Sequence, residues 1–434
     1  MKKKILTMLI ALLLVSVFVT GCGSEASAEK QQSSAEENRT AGNKKEPQER
    51  PAHDIPEADM NKDFNASLIE FIEKCGFADK NYMISPTSFR AAIALAVSGA
   101  DNGTKDELLK AMGFNSMDEI TDWYESVTAA VDSYNEWLEN ARNEFKEYRE
   151  YYGDMAEEPD GAFDIQNSIW KNTGYVGELS KKYIKYVEDN FGASASNVSE
   201  EKITEAVNEW VNKNTGGLIP SISDDLSRAD LVLVNTLYLR TSWISDFSEF
   251  NTEEGDFKTL AGETVKKDFM RQQSRFRYYE NEKGKFVVVP MNGGINAVFV
   301  LGDIENVLSK MPEAEYAEVA LKLPKFEVET DLSDDQLVDF CIARGAGTAF
   351  TANADFSLMS DDMRLYISDI IQKTKIKTDE KGIEAAAATA VMMTEGTMMT
   401  EAEIKEFTAD QPFKYMILTD SDEPELLFYG QLVE

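Results

Sequence analysis

The stretch DEKGIEAAAATAVMMTEGTMMTEAE, residues 379–403, lies close to the C-terminus of this 434-residue chain. Five of the six residues from Ala385 to Ala390 are alanine, the strongest helix former, yet the run opens on Gly382 and continues into β-branched residues and methionines. Taken alone it fits a surface helix, a linker or a strand. As a strand its residues alternate between faces, with Ile383, Ala385, Ala387, Thr389, Val391 and Met393 on one side. Glu384, Ala386, Ala388, Ala390 and Met392 fall on the other. The first set is uncharged and mostly small, as threading between existing strands would require. Burial of Ile383, Val391 and Met393 would contribute about 1.5–3 kcal/mol each.

The surrounding chain is globular in composition. It is 43% hydrophobic, with 23 Phe, 16 Tyr and 5 Trp, enough for a large core. Lys and Arg total 44 against 78 Asp and Glu, a formal charge of −34. That excess repels nucleic acid and anionic lipid and keeps an exported protein soluble.

Export is written at the N-terminus. Lys2, Lys3 and Lys4 precede an apolar run that meets Val19-Thr20-Gly21-Cys22. This pattern resembles a bacterial lipoprotein signal over residues 1–21, which implies cleavage before Cys22 and lipidation of that residue. Residues 22–57 are Glu-, Lys-, Ser- and Gln-rich with few large apolar groups, and are expected to form a disordered tether. A single globular domain over 58–434 follows.

Cysteine and histidine usage removes much enzymology. Beyond Cys22 only Cys75 and Cys341 remain, in contexts that favour buried free thiols over a disulfide. The single histidine, His53, falls in the expected tether, so no ordered imidazole is expected to serve a Ser-His or Cys-His unit. No His/Cys spacing for a metal exists, and no cofactor is expected. Gly216-Gly217 and Gly293-Gly294 lack phosphate-loop context and are expected to be turns.

Along the domain, helical spacing is expected over residues 61–76, 87–112 and 116–157, with Ser85-Pro86-Thr87-Ser88 as a helix start. Strands are expected at 231–239, 285–290, 296–301, 318–330 and in the last twenty residues. Helices early and strands late predict an α+β domain with large, mainly antiparallel sheets.

Six ordered blocks then resemble the serpins: NYMISPTSFRAAIALAVSGADNGTKDELLKAMGF (81–114), VNEWVNKNTGGLI (207–219), LVLVNTLYLRTSWISDF (231–247), LKLPKFEVE (321–329), GAGTAFTANADFSLMS (345–360) and QPFKYMILTDSDEPELLFYG (411–430). The resemblance implies a serpin fold with an exposed reactive-centre loop. Glu380, Gly382, Ile383, Glu384, Ala385, Ala386, Ala387, Ala388 and Thr389 would be its hinge, although many serpins carry Thr where Ile383 stands. Ser85, Pro86, Ser88 and Asn235 match the shutter that controls sheet opening, and Trp243 the tryptophan beneath the loop's entry. Gln372 stands in place of the family's shutter histidine. Counting forward from the hinge places the scissile bond at Gly396-Thr397, with Glu395-Gly396 and Thr397-Met398 one step away. Counting back from Pro412-Phe413 places it near Glu401, and the hinge count is preferred because the sheet fixes the insertion distance. The implied activity is suicide inhibition of extracellular serine proteases by a monomer that is not itself an enzyme, in a covalent complex. The alternative is a noninhibitory serpin-fold binding protein at the cell surface. Between Gly382 and Ile404 the chain has no Lys, Arg or aromatic residue, which suits elastase- or subtilisin-like targets rather than trypsin-like ones.

Overall fold

The computed structural model describes residues 44–45, 51–152, 158–333, 335–361, 365–383 and 403–434. The expected signal (1–21), Cys22 and most of the tether lie outside these residues, as does 384–402.

Eight helices occur among the described residues: α1 (Phe64–Ile72), α2 (Pro86–Gly99), α3 (Asn102–Met112), α4 (Met117–Tyr152), α5 (Lys181–Phe191), α6 (Ile203–Asn214), α7 (Val307–Lys310) and α8 (Gln336–Ala343). The strands are β1 (Tyr82–Ile84), β2 (Ala162–Asn172), β3 (Ser194–Val198), β4 (Leu231–Ser242), β5 (Glu253–Lys258), β6 (Thr264–Asn281), β7 (Gly284–Met291) and β8 (Ile295–Gly302). They continue as β9 (Glu315–Pro324), β10 (Phe326–Leu332), β11 (Asp369–Thr378), β12 (Gly382–Ile383), β13 (Lys405–Thr408), β14 (Phe413–Thr419) and β15 (Leu426–Leu432).

Local chemistry explains where these elements start and stop. The Ser85 hydroxyl accepts from the Ser88 N–H and Pro86 occupies the first turn, so α2 begins where the Ser-Pro signal predicts. The helix expected over 87–112 is divided, because Ala100 is extended and Asp101 caps a second helix. The one expected over 61–76 ends at Ile72 and passes through a π-turn that contains Gly76 at φ +89°. The strand expected over 318–330 is broken between β9 and β10. Pro324 has no N–H to give a further neighbour, and the Lys325 N–H makes the last bond in register with β6, to Asp268 O, before the chain turns into β10. The break lets β9 and β10 serve different sheets. Both glycine pairs take positive φ, as turns require.

One sheet has nine strands in the order β1-β15-β14-β8-β7-β6-β9-β13, with β5 on β6. The other runs β10-β11-β12-β4-β2-β3. Pairing is antiparallel except for β2–β3, β4–β11 and β9–β13. One apolar cluster, with Trp243, Phe299, Phe407, Phe413 and Ile383, draws residues from both sheets. A larger one packs α1, α2, α3 and α8 against strands of both sheets. Cys341 is buried and Cys75 partly so, and both are free.

The tether expected to run to residue 57 is ordered sooner. Ile55 and Ala58 pack on the larger core, and the Lys74 ammonium bonds to Glu57 O. His53 is therefore placed, contrary to expectation: Nε2 lies 2.8 Å from the Asp339 carboxylate and Nδ1 3.2 Å from Pro51 O. With acceptors at both nitrogens, the ring serves an ion pair rather than a nucleophile. The Asp339 hydrogen bond, the Pro51 carbonyl and the Asp339 charge together raise the imidazole pKa. A raised folded pKa gives stabilisation that is full below about pH 6.5 and is lost as pH climbs through the folded value. The thermal midpoint of His53→Ala should thus fall below the parent's at pH 5.5 and approach it at pH 8.5. Equal deficits at both pH values would show that the pair contributes nothing to folding.

Candidate functional site

The six-stranded sheet contains a gap of one strand's width. Strands β4 and β11 run parallel and pair directly only at 232–234 with 369–371. At their other ends β12 lies between them, antiparallel to both, with Ile383 opposite Thr241 on one side and Thr378 on the other. Two residues of the expected hinge, Gly382 and Ile383, are already strand there. Glu384 to Thr389, Gly396 and Thr397 lie outside the described residues.

Gly382 is required at the mouth of this slot. Its φ is +155°, and a Cβ would sit 2.2 Å from Thr241 O. Ile383 is 5% exposed and joins the cluster shared by the two sheets, so the larger aliphatic group in place of threonine is accommodated.

A ring of contacts fixes the chain just before the hinge. Trp243, 1% exposed, donates from Nε1 to Asp379 O at 2.9 Å and from its backbone to Lys381 O at 3.0 Å. Its ring meets Phe247 edge-on at 5.7 Å. The Phe247 N–H reaches Glu380 O at 2.8 Å. The Glu380 carboxylate takes one bond from Thr252 Oγ1 at 2.8 Å and pairs with Lys325 at 2.7 Å. Burial by itself would raise the Glu380 pKa, but bonds from Lys325, its own N–H and Thr252 together hold it below the usual range. Asp379, Lys325 and Thr252 were not singled out in the sequence. Asp379 acts through a carbonyl that any residue would supply, and Lys325 declares itself only once β9 and β10 part.

The shutter residues are brought together at the base of the gap. Gln372 on β11 forms a two-way bridge with the Ser85 backbone: the Ser85 N–H donates to Oε1 and Nε2 donates to Ser85 O, both at 2.9 Å. The Ser85 hydroxyl donates to Leu427 O at 2.7 Å. Ser88 bonds to Asn235 on β4, Asn235 to Asn167 on β2, and Asn167 to Tyr124 OH at 2.9 Å. The two walls of the gap are thus pinned to α2 through Ser85 and Ser88. An amide in the Gln372 position does this without titrating.

No group of three or more His, Cys, Asp or Glu that could hold a metal occurs among the described residues. The arrangement offers a slot between β4 and β11 in which a strand has already started.

The family model described as Serpin (serine protease inhibitor) matches residues 59–434. A serpin-like protein of Thermococcus kodakarensis is 28% identical over 393 residues, 85% of this chain and 84% of that protein. Leukocyte elastase inhibitor A of Mus musculus is 27% identical, covering 81% of this chain and 92% of its own. The structure of human thyroxine-binding globulin, 22% identical, superposes with a TM-score of 0.71 over 86% of this chain and 97% of that one. The matched region takes in most of the chain, and the chain belongs to the serpin family.

Proposed function

We propose that the protein is a suicide inhibitor of extracellular serine proteases, tethered through a lipid on Cys22 to the outer face of a bacterial cytoplasmic membrane and acting as a monomer. The observation that carries this reading is the register of β12. Continued down the slot, it sets Ala385 between Leu239 and Ile376, Ala387 between Leu237 and Thr374, and Thr389 between Asn235 and Gln372. The side chains that enter the apolar face are then the small ones. Ala390 to Met392 would take over the partners that 232–234 and 369–371 now give each other. Val391 and Met393 would bury about 1.5–3 kcal/mol each, whereas Ile383 is already inside and adds nothing further. Ladder hydrogen bonds at about 0.5–1.5 kcal/mol net apiece bring the gain into the range of a whole domain's stability.

In this reading the target's serine attacks the Gly396 carbonyl carbon, the Gly396-Thr397 bond breaks, and the loop inserts while the ester still joins the two proteins. Without a cation or an aromatic ring in the loop, elastase- or subtilisin-like pockets are the fitting targets.

Incubation with a panel of serine proteases and denaturing electrophoresis should give a band at the summed mass with an elastase-like enzyme and none with trypsin. The released peptide should begin within residues 396–399. Cleavage without such a band for every protease would favour a noninhibitory serpin-fold binding protein.

Two hinge variants should fail in different ways. Ala387→Arg would leave a buried charge unpaired, about 3–5 kcal/mol against insertion, so the uncleaved protein should melt as the parent does but act as a substrate. Gly382→Val should instead lower the uncleaved protein's melting point, because its Cβ collides with β4 before any cleavage. Unchanged inhibitory stoichiometry in Ala387→Arg would mean that the inward face is misassigned.

A further inference from the structure

Strand β4 begins at Leu231 and β11 at Asp369, and the ladder that joins them covers 232–234 with 369–371. One step before that ladder, Ser368 makes three further bonds from one wall of the gap to the other. Its N–H donates to Leu231 O at 3.0 Å, and its hydroxyl oxygen accepts from the Asp230 N–H at 2.9 Å and the Leu231 N–H at 3.4 Å. A single side-chain oxygen thus takes both N–H groups at the foot of β4.

Each side of this contact is itself anchored. On the β4 side the Asp230 carboxylate pairs at 2.6 Å with Lys171 of β2, and both side chains are almost wholly buried. The Lys171 ammonium also donates to Asn172 O at 2.7 Å, and the Asn172 N–H donates to Asp230 O at 2.8 Å. The Asn172 side-chain amide donates to Ser227 O and Ala229 O, both at 3.0 Å. The foot of β4 is therefore fastened to β2. On the β11 side Ile367 is buried, and its N–H donates to Ala349 O at 3.1 Å. Separation of the two feet loads the Ser368 bonds directly.

The ladder just above is covered on both faces. Leu231, Leu233 and Ile370 belong to the larger core, whereas Val232, Val234 and Ile371 pack with Ile203, Val207 and Val211 of α6. A hydrogen bond broken between such layers has no water to replace it, so its loss costs more than at the surface. At the upper end the walls bond to β12 instead of to each other.

We propose that Ser368 is a clasp that closes the lower end of the slot and restrains the three ladder pairs above it from parting. It is a positioning residue, acting through the ladder. The slot then opens from the Gly382 end downward, and its foot gives way last. The bearing of the clasp on inhibition rests on the function proposed above, but the restraint itself is measurable without any protease.

Hydrogen–deuterium exchange on the full chain tests it, using Ser368→Ala, which removes the shared acceptor, and Ser368→Thr, which keeps a hydroxyl there. In Ser368→Ala the amides of 232–234 and 369–371 should exchange about fivefold faster than in the parent, as expected for loss of one buried hydrogen bond, while those of 284–302 keep the parent's rates. Ser368→Thr should return the ladder to within about twofold of the parent. Parent-like ladder rates in Ser368→Ala would overturn the proposal. So would an acceleration at 284–302 as large as that of the ladder, which would make Ser368 a general fold stabiliser. Equal acceleration in both variants would also overturn it, because the effect would then lie in side-chain volume and not in the hydroxyl. Failure to form a protease complex would leave these exchange rates untouched, so the two ideas fall separately.

Discussion

Strands β4 and β11 lie parallel in the same sheet, yet share ladder bonds over three residue pairs only. Further along, each presents backbone groups that the other does not pair. A strand between them runs either parallel or antiparallel to both, and β12 takes the antiparallel direction, the more stable pairing mode. The rest of the molecule is arranged around this gap. The nine-stranded sheet shares an apolar cluster with the slot's upper walls, Trp243 closes the upper end, and α2 grips both walls near the base.

Under the proposed function, holding such a gap closed calls for contacts strong enough to prevent idle opening and weak enough to be outweighed by insertion. The shutter meets this by indirect means. Gln372 and Asn235 each bond to α2, through Ser85 and Ser88, rather than to each other, so the only direct ladder between the described walls is that of 232–234 with 369–371. Two neutral hydrogen bonds per amide are individually modest, about 0.5–1.5 kcal/mol net. Upper and lower ends differ in kind. The lower end is held by neutral amides and hydroxyls, whereas the upper end includes the Lys325–Glu380 ion pair, half shielded from water.

Much of this was legible in the sequence where a local rule and a tertiary role coincide. Ser85-Pro86 announces a helix start whatever lies beside it, and Ile383, the first position of the expected inward face, is buried in the cluster shared by both sheets. Strands β2, β6 and β11 were missed for a physical reason. AFDIQNSIWKN, TVKKDFMRQQSRFRYYEN and DIIQKTKIKT carry charges and amides at a density that reads as surface, because each sits where a polar network or a ladder of ion pairs covers one face. Lys373 and Lys375, for example, pair with Glu329 and Glu327 on β10. The tether was misjudged in the same way. Composition finds too little apolar surface over 22–57 for a core of its own, but Ile55, His53 and Lys45 use the surface of the domain instead.

The central claim is that the seeded register of β12 is the register of the fully inserted loop. The structure of the protein after cleavage within residues 396–399 tests it most directly. Thr389 should lie between Asn235 and Gln372, with Ala387 between Leu237 and Thr374 and the direct pairing of 232–234 with 369–371 gone. A cleaved loop that remains outside the sheet, or one inserted a single residue out of step so that Ala386 and Ala388 face the core, would contradict it.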